Sequence, residues 1–443
     1  MPDFHRAIRL PHATALVVGT IVGASIFVQP SEITAVVPSV WGVLLVWTLA
    51  GALTLAGALV CAELASAFTR SGGVYVYLRE AFHPSLGFLW GWAMLWSMHS
   101  GILAALAVVF ARYAGYFVPL DAVETRLVAI GVIVVLSAVN YVGVRPASLL
   151  QALFTGGKLA AIGLIVVLGF GLGGRVPEHF VGPAAPAADV GIGGILTGLV
   201  AGLFAFGGWH MVTYSAEETD DPSRTIPRAL VLGVAIVTLC YLGMNAVYFY
   251  VLPFDAVASS TRVAADAADA VLGYGGGAFM SAIVMFSTCG GLIGIVLAGP
   301  RVYYAMAQDG LLFRWIGGTH PRYRTPHRAI VLQAAVAVAL VSTGTYRVLF
   351  TRVIYTEWIF FGLMAVGLVA LRRRGVRPAY RAWGYPLLPL LFAAACGAIV
   401  VNQVLRDPAE SAFGLGLVAL GLPVYYAWTR WRTGRSSARH ADH

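Results

Sequence analysis

The sequence predicts an all-α integral membrane protein of twelve transmembrane helices, the first ten forming a five-plus-five inverted repeat, with N and C termini cytoplasmic. Three observations lead there. Of 443 residues, 59% are hydrophobic and only 11% are charged, and mean hydropathy is +0.80. Soluble domains carry about a quarter charged residues. The apolar residues form runs long enough to cross a bilayer, which takes about 20 residues in a helix. Basic residues gather in alternate short loops and tails: Arg6 and Arg9, Arg70 and Arg79, Arg224 and Arg228, Arg314 to Arg328, Arg372 to Arg381, Arg430 to Arg439. The intervening loops hold few, such as Arg126, Arg175, Arg262 and Arg406. This is the positive-inside bias, which places both termini in the cytoplasm and makes the number of spans even. The net charge of +9 therefore reports topology and does not point to nucleic acid.

In chain order the spans fall roughly at 11–37, 41–69, 85–118, 125–143, 149–172, 191–215, 228–252, 277–307, 328–346, 350–371, 384–404 and 411–430. They make one transmembrane domain over 1–443: a first repeat at about 11–172, a second at about 191–371, helices 11–12 at about 384–430 and a cytoplasmic tail at 431–443. The first run is too long for a signal-peptide h-region and has no small-residue cleavage site behind it, so it reads as a true span. Ser71 to Leu78 is too short and polar to cross and reads as an interfacial segment on the cytoplasmic side. The Pro-, Ala- and Gly-rich loop from Gly173 to Val190 belongs outside. Cys61, Cys240, Cys289 and Cys396 lie in apolar runs without metal-ligand spacing and read as packing residues.

Two spans carry unexpected centres. Span 1 holds Thr20-Ile21-Val22-Gly23-Ala24-Ser25-Ile26-Phe27, and span 6 holds Phe204-Ala205-Phe206-Gly207-Gly208-Trp209-His210. Glycine is costly inside a helix and cheap in an unwound turn. The first motif alone also suits close helix packing through small residues. Two interrupted spans five apart, however, imply a repeat of five spans whose second copy starts from the opposite side. Paired broken helices at matching positions point to a transporter's binding site.

Lys158 is the only lysine among 29 basic residues. If span 5 enters near Leu149, it lies about 13 Å deep at roughly 1.5 Å per residue, near the middle of a core about 30 Å thick. A lysine there costs about 2.5–3.5 kcal/mol or more and should face the interior with partners. It could stand as a fixed cation beside the carbonyls freed in helix 1, doing the structural work of a bound sodium ion; the plain alternatives are a nearby interface or helix glue. Gly157-Lys158 is no P-loop, because neither the following Ser/Thr nor the Gly five before it is present.

With these motifs in hand, the chain resembles the amino acid–polyamine–organocation superfamily, nearest to L-type amino acid transporters and their bacterial relatives. Gly19 to Phe27 is similar to that family's helix 1 signature, and Phe204 to Trp209 with Glu217-Glu218 to its helix 6 motif. Ala62-Glu63-Leu64 with Ser71-Gly72-Gly73-Val74-Tyr75 matches the end of helix 2. Arg301 to Ala307, Asp309-Gly310-Leu311, His320-Pro321 and Thr325-Pro326 match the helix 8 exit. The resemblance implies a LeuT-like fold, alternating access and sodium-independent transport, with exchange a common mode. It implies that Thr20, Ile21, Gly23, Ala24, Ser25 and Ile26 with Phe204, Ala205, Phe206, Gly207 and Trp209 bind substrate. Amides near Gly23 to Ser25 would hold the carboxylate, carbonyls at Phe204 to Gly207 the ammonium, Phe204 would be the gate and Lys158 the sodium surrogate. Ser25 departs from the usual third glycine, and His210 stands where Asn is frequent.

Other ionisable groups leave a choice. Glu357 in span 10 is either a proton or substrate-amine site or a structural carboxylate paired locally, with Arg352 as the nearby partner. His99 reads as a satisfied polar contact, Glu63 as a gate or scaffold residue, and Glu217, Glu218, Asp220, Asp221, Arg224 and Arg228 as a charge cluster able to latch a gate. The expected activity is sodium-independent exchange of neutral L-amino acids, on the reading that spans 1, 3, 6 and 8 lack a mid-span carboxylate; the alternative is a proton-coupled amino acid or amine symporter using Glu357. The chain has no Gly-x-Ser-x-Gly, His-Glu-x-x-His or paired aspartates of an enzyme, and no filter loop of a channel. No cofactor or metal is expected. The partners expected are an amino acid substrate and the lipid bilayer. Pro119 to Glu124 holds no cysteine, so no disulfide-linked heavy chain is expected; the chain reads as a monomer or weak homo-oligomer. A composition rich in Arg and nearly free of Lys suits a GC-rich bacterial genome and hence a bacterial inner membrane.

Overall fold

Ser39 opens a long helix by accepting a hydrogen bond from Gly42 N at 3.3 Å, Thr345 does the same for Val348 N at 3.4 Å, and Asp407 for Glu410 N at 3.3 Å. Amides at helix N-termini have no partner within the helix, so each side chain supplies an acceptor where one is missing. The computed structural model describes residues 8–69, 73–142, 157, 160, 162–172, 191–273, 275–308, 310–313, 315–323 and 325–430. Among them there is no strand, only one parallel bridge between Ile8 and Thr219.

Among the described residues eight helices are long and apolar enough to cross a membrane: α3 (Val40–Ala67), α5 (Pro84–Ala114), α6 (Ala122–Val142), α9 (Pro222–Val251), α12 (Gly276–Gln308, apolar over Gly276–Tyr304), α14 (Tyr346–Arg373), α15 (Leu387–Arg406) and α16 (Pro408–Arg430). Four shorter apolar helices fall at the first, fifth, sixth and ninth expected spans: α1 (Leu10–Ile21), α7 (Ile162–Leu172), α8 (Ile192–Ala205) and α13 (His327–Thr343). The helix expected over 11–37 stops at Ile21 and resumes as α2 (Gln29–Thr34); that expected over 191–215 stops at Ala205.

Small residues set how the helices pack. A methyl added at Gly51 of α3 would stand 2.5 Å from Thr238 Oγ1 of α9, and one at Gly233 of α9 would stand 2.4 Å from Val17 of α1. Such close approach is how helices gain contact where both sides are apolar. Val17 faces Gly233, while the Tyr241 hydroxyl of α9 reaches Ile21, so α1 and α9 run the same way. Trp47 stacks edge-on with Tyr241 and Gly51 meets Thr238, so α3 runs back. Its C-terminal end, with Glu63, therefore lies on the face where α1 begins. A second group packs α5, α6, α12 and α13 together, and α14 touches both groups.

The short segment expected at the interface is α4 (Val74–Ala81), and it buries Val74, Val76, Tyr77, Leu78 and Ala81 against α5 and α14. Between Leu252 and Gly277, where hydropathy finds no span, the chain folds into α10 (Phe254–Ser259) and α11 (Val263–Leu272). α10 lies over α2, and α11 buries Ala264, Ala265, Ala267 and Ala268. The four cysteines are free, as packing residues would be.

Candidate functional site

At the first break, Val22 N–H still donates to Val18 O at 2.8 Å, after which Gly23 is extended (φ −99°, ψ −177°). A 3-10 turn over Ala24–Phe27 follows and leads into α2. The last carbonyls of α1 and the first amides of the turn lose their partners here. Gly23, as N-cap of the turn, has no side chain to satisfy them.

At the second break, Gly207 N donates to Phe204 O at 3.1 Å, and Gly208 takes φ +91° before a 3-10 helix over Trp209–Glu218. That conformation is open to glycine at no steric cost. A methyl there would also lie 3.0 Å from the carbonyl oxygen of Thr20. The two breaks thus meet backbone to backbone. One side chain joins them further: Tyr241 Oη lies 3.1 Å from Ile21 O and 3.0 Å from Ala205 O, so its single proton is shared between the last carbonyls of α1 and α8.

The far side of the breaks is tied to α5 and α14. Phe204 packs on Phe350 (ring centroids 5.6 Å) and edge-on to Tyr346 (6.5 Å). Tyr346 Oη accepts from Gln29 Nε2 at 3.1 Å, and Tyr113 Oη donates to Phe27 O at 2.6 Å. Glu32 of α2 meets Arg347 at 2.6 Å and Arg112 at 3.6 Å, and Arg112 lies 4.6 Å over the Tyr346 ring. Glu32 is a carboxylate near the far end of the first expected span, past its break and away from mid-span, and two arginines neutralise it.

The near face is closed by Glu63, fully buried at the end of α3. Its carboxylate takes two bonds from Arg372 (2.5 and 2.7 Å) and one from Ala382 N (2.7 Å). Of the expected charge latch of Glu217, Glu218, Asp220, Asp221, Arg224 and Arg228, the described part holds one exposed pair, Arg224 with Asp221 at 3.7 Å, a type that contributes about 0–1 kcal/mol. Backbone does the tying there: Asp220 N donates to Ile8 O at 2.9 Å beside the Ile8–Thr219 bridge. The start of helix 1 and the end of the second broken span are joined as one piece.

Of the expected site residues, Ile21, Ala24, Ser25, Ile26, Phe204 and Ala205 are buried at the two breaks, with Gly23 and Gly207 half-buried between them. Thr20 spends its hydroxyl on its own helix, at Leu16 O and Val17 O (2.9 and 3.0 Å). Phe206 packs against Tyr241 and Trp47, and Trp209 against Phe361 (5.0 Å) and His210. Glu357 is buried, and no hydrogen bond or ion pair reaches its carboxyl group among the described residues. Its expected local partner is engaged elsewhere: Arg352 binds Glu410. Both ring nitrogens of buried His99 lack a partner among the described residues. That corrects the expectation of a satisfied polar contact; α5 brings His99 to Gly299 and Gln333 without a bond to either ring nitrogen. Lys158 and the side chains of Glu217 and Glu218 lie outside the described residues.

Sequence reasoning missed Tyr241, Tyr346, Phe350 and Glu32. Only Glu32 carried a signal, as a charge in an apolar run. Chemically, the arrangement opposes two carbonyl-bearing helix ends to the amide-bearing start of a turn. The first suits a cation and the second an anion.

A family model described as amino acid permease matches residues 8–415. The b(0,+)-type amino acid transporter 1 of Mus musculus is 29% identical over 442 residues, covering 98% of this chain and 90% of the relative. The Asc-type amino acid transporter 1 of Mus musculus is 30% identical over 440 residues (97% and 82%), and the cystine/glutamate transporter of Homo sapiens 29% over 435 residues (96% and 86%).

Proposed function

The chain belongs to the amino acid permease family, and on that premise we propose that it is a sodium-independent exchanger of neutral L-amino acids. It works by alternating access in a LeuT-like fold of twelve spans, with both termini cytoplasmic, in a bacterial inner membrane. Support for that count comes from the four shorter apolar helices, which fall at the first, fifth, sixth and ninth expected spans. The observation that carries the reading is the meeting of the two breaks, Gly208 on Thr20 and Tyr241 on both helix ends. A zwitterion fits that meeting: its ammonium faces the carbonyl ends near Ile21 and Phe204 to Gly207, and its carboxylate faces the amides of Gly23 to Ser25. Phe204 covers it. Lys158 supplies the fixed charge that replaces sodium, and no disulfide-linked heavy chain is needed.

A second reading has its own observation. Glu357 lies seven residues beyond Phe350, which touches Phe204, and four before Phe361, which touches Trp209 and His210. At 3.6 residues per turn the three share one face of α14. A buried, unpartnered carboxylate on that face is a proton or substrate-amine site, which would make the protein a proton-coupled symporter.

Uptake of labelled L-amino acids into proteoliposomes, at zero sodium and zero pH gradient, separates the two. Exchange requires unlabelled amino acid inside. Uptake seen only with an acid-outside gradient, and lost in Glu357→Gln, selects symport. Under exchange conditions Lys158→Ala should cut uptake about tenfold or more, the approximate effect of losing one charge-assisted hydrogen bond of about 1.5–3 kcal/mol, while the protein keeps its helical content. Near-normal uptake by that variant removes Lys158 from the mechanism.

A further inference from the structure

The loop that joins α14 to α15 is held near both ends by one carboxylate: Arg372, in the last turn of α14, and Ala382 N both bind Glu63. Between them Tyr380 N donates to Ser66 Oγ at 3.1 Å, and Arg374 donates to Ala81 O at 2.9 Å. The loop is thus clipped to the ends of α3 and α4, and its shape is set before any partner arrives. Residues 372–387 hold five arginines and no acid. Arg372 and Arg374 are spent on the clip. Arg373, Arg377 and Arg381 are exposed and make no ion pair or hydrogen bond among the described residues. α3 and α4 carry one acid each, and both are taken, Glu63 by Arg372 and Glu80 by Arg79 at 2.9 Å. Three guanidinium groups therefore stand without a counter-charge. Beside them Trp383 is 73% exposed, and α15 opens with Leu387, Leu390 and Leu391, all exposed and spaced to share one face. α15 is apolar enough to cross a membrane, so that face meets acyl chains, and the loop lies where hydrocarbon gives way to headgroups. Tryptophan belongs at that level.

We propose that this loop binds the headgroup of an anionic phospholipid from the leaflet on the Glu63 face. Arg373, Arg377 and Arg381 meet its phosphate, and Trp383 with the leucine face of α15 meets its acyl chains. Guanidinium groups match phosphate oxygens in two-bond geometry, and basic residues beside a bilayer attract anionic lipid. A soluble phosphate would use the arginines alone; a lipid uses the arginines, Trp383 and the leucines together. Because Arg372 and Ala382 both hold Glu63, a lipid that fixes the loop also holds the closure of that face. The binding rests on the membrane-spanning helices, and its effect on transport rests on the alternating-access reading.

The test is native mass spectrometry of the purified full chain titrated with phosphatidylglycerol as the anionic probe and phosphatidylcholine as the neutral one. The wild type should retain phosphatidylglycerol in preference. Arg373→Gln with Arg377→Gln and Arg381→Gln should weaken that retention about tenfold or more and leave phosphatidylcholine unchanged. Should the triple variant not assemble, Arg381→Gln and Trp383→Ala, each alone, should weaken it about threefold. A second triple, Arg228→Gln with Arg322→Gln and Arg328→Gln, removes the same charge from other exposed arginines of the basic loops and should have little effect. An equal loss in that second triple, or none in the first, overturns the site. Displacement of the lipid by glycerol 3-phosphate at matched concentration assigns the loop to a soluble phosphate and likewise overturns it. In a Ser25→Cys background, corrected for the native cysteines, an impermeant thiol reagent applied from the Glu63 face should label about threefold more slowly when phosphatidylglycerol joins phosphatidylcholine, and the first triple should not slow. Equal slowing in that triple overturns the link to the closure. Lipid retention by a chain that takes up no amino acid overturns the transport reading and leaves the lipid site standing.

Discussion

Gly208 leaves its backbone the least choice of any residue at the breaks. Its φ of +91° and the 3.0 Å approach to Thr20 O both exclude a side chain. Gly208→Ala should cost about 1–3 kcal/mol of strain, seen as a lower thermal midpoint and slower uptake together. An unchanged midpoint would mean that the turn relaxes and the contact with Thr20 is not rigid. Tyr241→Phe separates geometry from hydrogen bonding. The ring contacts with Trp47 and Phe206 survive, while the hydroxyl that joins Ile21 O to Ala205 O is lost. Stability should fall by only about 0.5–1.5 kcal/mol, whereas exchange should slow about tenfold or more because the two carbonyl ends are no longer held in register. Equal turnover would make Tyr241 a packing residue. The glycines of the site were legible because glycine inside a span is an anomaly with few explanations. The tyrosine was not, because a lone hydroxyl in an apolar helix has no spacing or neighbour that says what it reaches.

At the scale of elements, hydropathy located the helices well and their ends poorly. Runs of apolar residues must lie in helices, but nothing in hydropathy separates a span that stops at Ile21 from one that continues to Val37; only Gly23 did. α10 and α11 escaped because their burial is against α2 and α12, and a short helix on a loop leaves no long apolar run. Glu63 was legible as a gate or scaffold residue from its position near the end of span 2, while its partners Arg372 and Ala382, more than three hundred residues on, were not. That triad joins α3, α14 and the segment before α15. Removing one member of a buried ion pair costs about 3–5 kcal/mol because the other charge is stranded. Arg372→Ala should therefore lower the thermal midpoint strongly. Arg372→Lys should recover only part of it, since an ammonium cannot reproduce the two-bond fork. Full recovery in Arg372→Lys would show that charge alone matters there.

For the whole molecule, the two ends of α14 carry opposed closures. Arg347 near its start binds Glu32 of α2, and Arg372 near its end binds Glu63 of α3. α1, α3 and α9 form one packed group and α5, α6, α12 and α13 another, and Glu32 reaches from α2 to Arg112 of the second group. With both closures made, Ser25 is only 5% exposed and Ala24 1%. On the proposed alternating-access reading one closure opens while the other holds, and weakening either should bias the protein toward one face. Glu32→Gln removes a charge from a pair worth about 1 kcal/mol, which shifts a two-state equilibrium roughly fivefold. In a Ser25→Cys background, a membrane-impermeant thiol reagent applied from the Glu32 face should then label about fivefold faster, after subtraction of the four native cysteines measured in the parent. Glu63→Gln should have the opposite sign, with faster labelling from the Glu63 face and slower from the other. Labelling that rises from both faces in either variant would mean that the closures are independent props and not the two sides of one switch.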